Sequence, residues 1–148
     1  MDKLAEILHT AEVRASEKGI SYAGLLTPSE AYDLLQADKN TVLVDVRSRA
    51  ELELVGRIPV AKHIEWAFYP GMVPNPDFAK QLQGAINKNL TLVFLCRTGA
   101  RSHKAAELAK DLGYKAYNML EGFEGESNAE KQRTLINGWK HAGLPWTN

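Results

Sequence analysis

One stretch of this chain passes from a buried strand into a helix within a few residues and carries its only cysteine. Residues 92–95 are all apolar, which is typical of a strand buried on both faces, and residues 104–112 have helical spacing. Cys96 follows the apolar run directly and precedes the loop 97–101, whose sequence is RTGAR. The thiol is therefore predicted at the C-terminal end of a strand, where the chain turns into a helix.

The composition of the 97–101 loop favours a thiolate at Cys96. A helix N-terminus carries about half a positive charge and unpaired N–H groups, and the two arginines of the loop add cations. Gly99 permits the backbone conformation that turns N–H groups inward as an anion nest, and Thr98 and Ala100 leave that nest open. We therefore predict a nucleophilic cysteine whose thiolate or persulfide the loop stabilises; the alternative is a cysteine that only packs as a small hydrophobe.

The composition argues against several other classes of protein. The 148 residues suffice for one domain, and 18 Lys and Arg balance 18 Asp and Glu, so no nucleic-acid partner is expected. No apolar run approaches the roughly 18 residues of a membrane span, so no membrane partner is expected. A single cysteine excludes an internal disulfide, which favours a cytoplasmic location and requires an external acceptor for any sulfur on Cys96. The four histidines (His9, His63, His103 and His141) lack metal-ligand spacing, and neither a metal nor a cofactor is expected.

Hydrophobic spacing and turn residues predict an α/β chain. Residues 3–18 have the spacing of an amphipathic helix that ends at Gly19 and either covers the domain or binds a partner. A helix is predicted at 28–35, where Thr27 and Glu30 have the spacing of a capping box, and others at 49–55, 77–86, 102–112 and 128–141. Strands are predicted at 41–46, 64–66, 91–95 and within 114–120. Strands that alternate with helices imply a parallel sheet covered on both faces, whose ligands bind at the C-terminal strand ends, where Cys96 lies.

Five short motifs occur in order along residues 25–146. They are Val44-Asp45-Val46-Arg47, Glu51 with Gly56-Arg57-Ile58-Pro59-Val60-Ala61, Cys96-Arg97-Thr98-Gly99-Ala100-Arg101, Leu120-Glu121-Gly122-Phe123, and Gly138-Trp139 with Ala142-Gly143-Leu144-Pro145. Each resembles a signature of the rhodanese family of sulfurtransferases. The resemblance implies a rhodanese-like domain over 25–148, with a five-stranded parallel sheet flanked by helices on both faces, and leaves 1–24 as an N-terminal helical extension.

The resemblance also implies a two-step reaction. The Cys96 thiolate attacks the outer sulfur of a donor such as thiosulfate and becomes a persulfide, and a thiol or cyanide then removes that sulfur. Cys96 is then catalytic, the backbone of Arg97 through Arg101 binds the anion, and the side chains of Arg97 and Arg101 orient the donor unless they only form surface ion pairs. The implied partners are small sulfur donors, thiol or cyanide acceptors, and a sulfur-accepting protein.

Three alternatives use the same fold. A cysteine phosphatase or arsenate reductase of the rhodanese-related type has five residues between Cys and Arg, whereas four separate Cys96 from Arg101, which makes this loop tight for phosphate. A non-catalytic binding module typically lacks the cysteine that this chain keeps. A persulfide carrier would pass sulfur to a partner protein, and the helix at 3–18 is its only support.

Two further sets of residues are given other interpretations. Asp45 and Arg47 follow a buried strand and are predicted to form a structural ion pair rather than a catalytic pair. Phe68, Tyr69 and Met72 border an apolar loop rich in helix breakers, and we predict that some of them form one wall of the cysteine pocket.

Overall fold

Within residues 2–148, which the computed structural model describes, five helices and seven strands follow one another along the chain. The helices are α1 (Lys3–Glu17), α2 (Pro28–Ala37), α3 (Arg49–Val55), α4 (Phe78–Ala85) and α5 (Ala100–Asp111). The strands are β1 (Gly24–Leu26), β2 (Thr41–Asp45), β3 (Lys62–His63), β4 (Ala67–Phe68), β5 (Val73–Pro74), β6 (Thr91–Leu95) and β7 (Lys115–Met119). None of these five helices is long and apolar enough to cross a membrane.

Five of the strands form one parallel sheet in the order β1-β7-β6-β2-β3. The central strand β6 pairs along its length with β2, where Asp45 lies opposite Leu95, and with β7, where Asn118 lies opposite Phe94. The predicted five-stranded parallel sheet is therefore confirmed. Because β6 is central, its C-terminal end is surrounded by the ends of two neighbouring strands.

Helices cover both faces of this sheet, and alternate residues of β6 face opposite cores. Leu92 and Phe94 pack in a cluster with Phe78 and Leu82 of α4 and the alanines of α5. Val93 and Leu95 belong to a second cluster that includes residues of α1 and α2. The four β6 side chains are fully buried, as expected for a strand covered on both faces.

Helix α1 packs against the sheet edge and α2. Its side chains Ile7, Ala11 and Ala15 are buried, and Ala11 lies so close to β1 that a Cβ on Gly24 would stand 2.9 Å from the Ala11 carbonyl carbon. Arg14 of α1 donates to Glu30 of α2 at 2.6 Å and to a β1 carbonyl at 3.0 Å. The apolar face of α1 therefore packs against the rest of the fold. The division of the chain into an extension and a domain at residue 24, where β1 begins, stays a prediction.

Two helices begin with the same hydrogen-bonded arrangement, a capping box. Thr27 and Glu30 form a capping box at the start of α2, as the sequence predicted, and Ser48 and Glu51 form another at the start of α3. In each box the hydroxyl accepts from the backbone N–H of the glutamate, whose carboxylate accepts from the cap residue N–H. The capping box therefore holds the Glu51 side chain at the start of α3 independently of its other contacts.

Two element predictions were wrong. No helix spans 128–141: this segment consists of turns, with positive φ at Lys131 (63°), Thr134 (76°) and Gly138 (105°), a backbone that a right-handed helix cannot contain. Its backbone N–H groups bond back to the 122–124 turn instead, as in the Trp139 N–H bond to the Gly122 carbonyl at 2.9 Å. The strand expected at 64–66 is displaced to Lys62–His63, because these residues pair with the end of β2.

Candidate active site

Cys96 directly follows the last residue of the central strand β6 and is 1% exposed. Its carbonyl accepts from the Phe123 N–H at 2.9 Å, and the preceding Leu95 carbonyl accepts from the Val46 N–H at 3.0 Å. The backbone around the cysteine is thus held from both neighbouring strand ends. The thiol lies at the bottom of a loop, as the strand-to-helix pattern predicted.

Two donors of the described residues point at the Cys96 sulfur. The Gly99 N–H lies 3.1 Å from Sγ, and the hydroxyl of Ser102, which is fully buried, lies 3.4 Å from it. Gly99 adopts a φ of +114°, which is open to glycine and strained for other residues. The Gly99 N–H and the Ser102 hydroxyl are therefore placed to donate to Cys96 Sγ in its thiolate form.

Two side chains that were not among the predicted site residues contact the carbonyl of Gly99. The amide of Asn118, on β7, donates to it at 3.2 Å, and the Ser102 hydroxyl, whose single proton is shared between this carbonyl and Cys96 Sγ, lies 3.1 Å from it. Because the N–H that faces the sulfur is on the same residue, these bonds hold Gly99 in place. A polar residue in a buried strand next to β6 was the available signal for Asn118, which is 4% exposed.

Arg101 is held by Glu51 in a two-point ion pair. Its Nη1 and Nη2 donate to the two carboxylate oxygens at 2.7 and 2.8 Å, and both side chains are 20% exposed. Burial alone would raise the pKa of Glu51, but hydrogen bonds from Arg101 and the Ser48 N–H outweigh it and lower that pKa to about 2. Hydrogen bonds to Glu51 raise the pKa of Arg101 against the effect of burial, and the charges of Glu51 and of a Cys96 thiolate raise it further.

Arg97 lies at the exposed rim of the loop and contacts a different carboxylate. Its Nε lies 3.5 Å from Oε2 of Glu124, and 45% of the Arg97 side chain is exposed. Thr98 and Ala100 are also exposed, and their part in binding an anion stays a prediction. Both loop arginines therefore face carboxylates, and their role in orienting a donor stays a prediction.

The chain is similar to known proteins along most of its length. The Rhodanese-like domain family matches residues 27–129. The chain belongs to the rhodanese-like family. An uncharacterized protein of Rickettsia conorii is 38% identical over 121 residues, which make up 80% of this chain and 92% of that protein.

A solved structure and a named enzyme extend this likeness. The crystal structure of Rv0390 from M. tuberculosis has a TM-score of 0.79 and 40% sequence identity, and the match covers 85% of this chain and 98% of that one. A Saccharomyces cerevisiae protein named thiosulfate:glutathione sulfurtransferase is 29% identical over 98 residues, which are 57% of this chain and 63% of the yeast protein. The residues that match the rhodanese-like domain include four of the five strands of the parallel sheet and the cysteine loop.

In this rhodanese-like domain Asp45 and Arg47 form a buried ion pair beside the loop. The Arg47 Nε lies 3.0 Å and its Nη2 2.7 Å from the two Asp45 oxygens, and both side chains are at most 1% exposed. Nη2 also donates to the Gly56 carbonyl at 3.1 Å, and the guanidinium stacks 4.1 Å from the Phe123 ring centroid. These contacts join β2 to the turns after α3 and β7, as a structural pair would.

The remaining candidate residues are His103 and the three side chains expected at a pocket wall. His103 shares a hydrogen bond with the Tyr22 hydroxyl through Nδ1 at 2.7 Å and lies 3.5 Å from Glu107 through Nε2. Across residues 2–148, no group of three or more His, Cys, Asp and Glu side chains is arranged to hold a metal ion. Phe68, Tyr69 and Met72 lie in and between β4 and β5 and are 38%, 66% and 41% exposed, so their part in a pocket wall stays a prediction.

Proposed function

We propose that this rhodanese-like protein is a sulfurtransferase that carries a sulfane sulfur as a persulfide on Cys96. The observation that carries the proposal is the Gly99 N–H aimed at the cysteine sulfur at 3.1 Å, at the end of the central strand. A donor in this position stabilises negative charge on Cys96 Sγ before the reaction and in the transition state for sulfur transfer. Ser102 adds a second donor on the buried side.

The proposed reaction has two displacement steps. In the first, the Cys96 thiolate attacks the outer sulfur of thiosulfate, the S–S bond breaks, and sulfite leaves with the bonding electron pair. In the second, a thiolate or cyanide attacks the outer sulfur of the persulfide, and the Cys96 thiolate leaves. The thiolate form of Cys96 is the nucleophile, so neither step as written needs a general base. Because this sequence holds no second cysteine, the acceptor is external.

The length of the cysteine loop and the name of a relative support this choice over the alternatives. The loop from Cys96 to Arg101 has four intervening residues, which suits one sulfur atom better than a tetrahedral phosphoryl group. The name of the yeast relative supports thiosulfate as a donor and a small thiol as an acceptor. The proposed location is the cytoplasm, which a chain with one unpaired cysteine favours. A carrier that delivers sulfur to a partner protein uses the same first step.

A steady-state assay tests the proposal. The protein is given thiosulfate with either cyanide or glutathione, and thiocyanate or glutathione persulfide is measured together with sulfite. We expect catalytic turnover that Cys96→Ser abolishes while its circular dichroism spectrum and unfolding transition remain those of a folded protein. Turnover that persists in Cys96→Ser, or phosphate release from an aryl phosphate in place of sulfur transfer, would refute the proposal.

A further inference from the structure

Each arginine of the cysteine loop is paired with a carboxylate of another element. Arg101 forms the two-point pair with Glu51 at 2.7 and 2.8 Å, and Arg97 lies 3.5 Å from Glu124. The third guanidinium near the loop, that of Arg47, is neutralised by the buried Asp45. The net charge of these groups around the cysteine is therefore close to zero, although the loop sequence by itself is strongly cationic.

Neutralisation changes which donors the site can accept. Thiosulfate carries two negative charges and the Cys96 thiolate carries one, so the two species repel each other. An arginine without a carboxylate partner would offset that repulsion. Two of the five N–H groups of Arg101 are already bonded to Glu51, so the guanidinium can still donate hydrogen bonds but contributes little net charge. A donor with one negative charge or none meets a much smaller barrier in the same loop.

We propose that Glu51, acting through Arg101, selects hydropersulfides over dianionic thiosulfate as the sulfur donor of Cys96. This inference rests on the sulfurtransferase function proposed above and names its preferred class of donor. Glu51 is a positioning residue in this proposal. It does not touch the donor, but its carboxylate offsets the positive charge of Arg101, which does.

The structure favours Glu51 over Glu124 for this role. Glu51 is anchored by the α3 capping box and meets both Arg101 Nη atoms, whereas Glu124 meets one atom of Arg97 at a longer distance. The pair of Arg97 is also the more exposed of the two, so water and salt weaken it. Glu51 remains ionised at every pH at which the protein would work, because its pKa is about 2.

The preferred loading step is balanced without any further reactant. The Cys96 thiolate attacks the outer sulfur of R–S–S–H, the S–S bond breaks, and R–S⁻ leaves with the electron pair. The proton stays on the transferred sulfur, which gives Cys96–S–S–H. The donor is neutral, so the site holds one negative charge throughout, first on Cys96 and then on the departing R–S⁻.

The test compares two donors on single-turnover loading of Cys96, followed by intact mass. The donors are thiosulfate and the hydropersulfide of 2-mercaptoethanol, whose carbon chain is uncharged. We expect the native protein to load faster from the hydropersulfide. Glu51→Gln should raise the rate with thiosulfate relative to the hydropersulfide by roughly tenfold, the usual weight of one partly buried charge–charge interaction.

The chain offers a closely matched control in Glu30→Gln. Glu30 also closes a capping box and meets both Nη atoms of an arginine, Arg14, at 2.6 and 3.1 Å, but it does so between α2 and α1. This variant should lose similar stability without any change in the ratio of the two rates. Glu124→Gln, which disturbs no helix cap, should shift the ratio in the same direction as Glu51→Gln but less.

Two results would overturn the inference while leaving the function intact. One is faster loading of the native protein from thiosulfate, and the other is a Glu51→Gln variant that changes both rates by the same factor. A native protein that gains no sulfur from either donor would refute the sulfurtransferase function itself. The two failures are therefore distinguishable in one set of measurements.

Discussion

Gly122 lies so close to the cysteine loop that a Cβ atom on it would stand 2.6 Å from the Thr98 backbone nitrogen. Its φ is +69°, and the residues that follow it, Phe123 and Glu124, donate their N–H groups to the carbonyls of Cys96 and Arg97. The turn after β7 therefore supports the cysteine loop through backbone contacts, to which Glu124 adds its ion pair with Arg97. At Gly122 itself there is no space for a side chain.

A methyl group at this position should displace the loop. We expect Gly122→Ala to lower the free energy of unfolding by about 3 kcal/mol and to slow sulfur loading of the folded protein, since backbone atoms must move to accommodate it. Gly19→Ala is the control, because Gly19 has a φ of +66° and no atom within 4 Å of the added Cβ. That variant should cost about 1 kcal/mol from backbone strain and leave loading unchanged. Equal effects of the two variants would contradict the proposed support.

The Ser102 hydroxyl should contribute to the reactivity of Cys96. It lies 3.4 Å from Sγ in a fully buried position, where a hydrogen bond to a charged group is worth about 1.5–3 kcal/mol. Ser102→Ala should therefore slow persulfide formation by roughly tenfold or more. Rapid-quench intact mass measures the rate. An unchanged rate would mean that the hydroxyl serves only the Gly99 carbonyl, which it also meets at 3.1 Å.

The ion pair of Glu51 with Arg101 predicts a particular dependence of stability on pH. The pKa of Glu51 falls from its ordinary value of 4.5 to about 2 on folding, so the pair stabilises the fold above about pH 4.5. This stabilisation is lost as the pH falls from there towards 2. Glu51→Gln should lower the free energy of unfolding by about 1–2 kcal/mol near neutral pH, and by much less near pH 2.

Urea denaturation of both proteins over this pH range checks the prediction. The difference between the native protein and Glu51→Gln isolates this one carboxylate, because every other acidic group titrates in both proteins. A difference that stays constant down to about pH 2 would contradict the electrostatic explanation, and would assign the effect to hydrogen-bond geometry in the α3 capping box.

Removal of one partner of the buried Asp45–Arg47 pair should be costly. Asp45→Asn leaves a fully buried guanidinium without its counterion, which typically lowers the free energy of unfolding by about 3–5 kcal/mol. Asp33→Asn, which breaks the exposed pair with Lys3, should cost less than about 1 kcal/mol. Because the Asp45 pair is assigned a structural role, the folded fraction of Asp45→Asn should still load sulfur on Cys96. Loss of loading in a folded variant would argue for a catalytic role.

Local patterns predicted most of the fold and the position of Cys96 at the end of a strand. The apolar run before Cys96 correctly predicted β6, and the small residues after it predicted the turn into α5. Each of these elements is determined by neighbouring residues. The capping box at Thr27 located the start of α2 for the same reason. Strand β1 has only three residues, Gly24–Leu26, which are too few to show an alternation of apolar and polar residues.

The features that the sequence missed depend on contacts between distant residues. Glu51 and Arg101 are 50 residues apart, and Asn118 and Gly99 are 19 residues apart, so neither contact can be predicted from the spacing of neighbouring residues. The predicted helix at 128–141 failed because Gly125 and Gly138 pack backbone on backbone, with the Gly125 nitrogen 2.7 Å from where a Gly138 Cβ would stand. Tertiary packing overrode helical spacing there.

The most direct test of sulfur transfer through Cys96 is the intact mass of the protein before and after a sulfur donor, and again after cyanide. Thiosulfate and the hydropersulfide of 2-mercaptoethanol are both supplied, with Cys96→Ser treated in parallel. We expect a gain of one sulfur atom that cyanide removes and that Cys96→Ser never shows. A native protein that gains no sulfur from either donor, or a Cys96→Ser variant that gains it as well, would contradict sulfur transfer through Cys96.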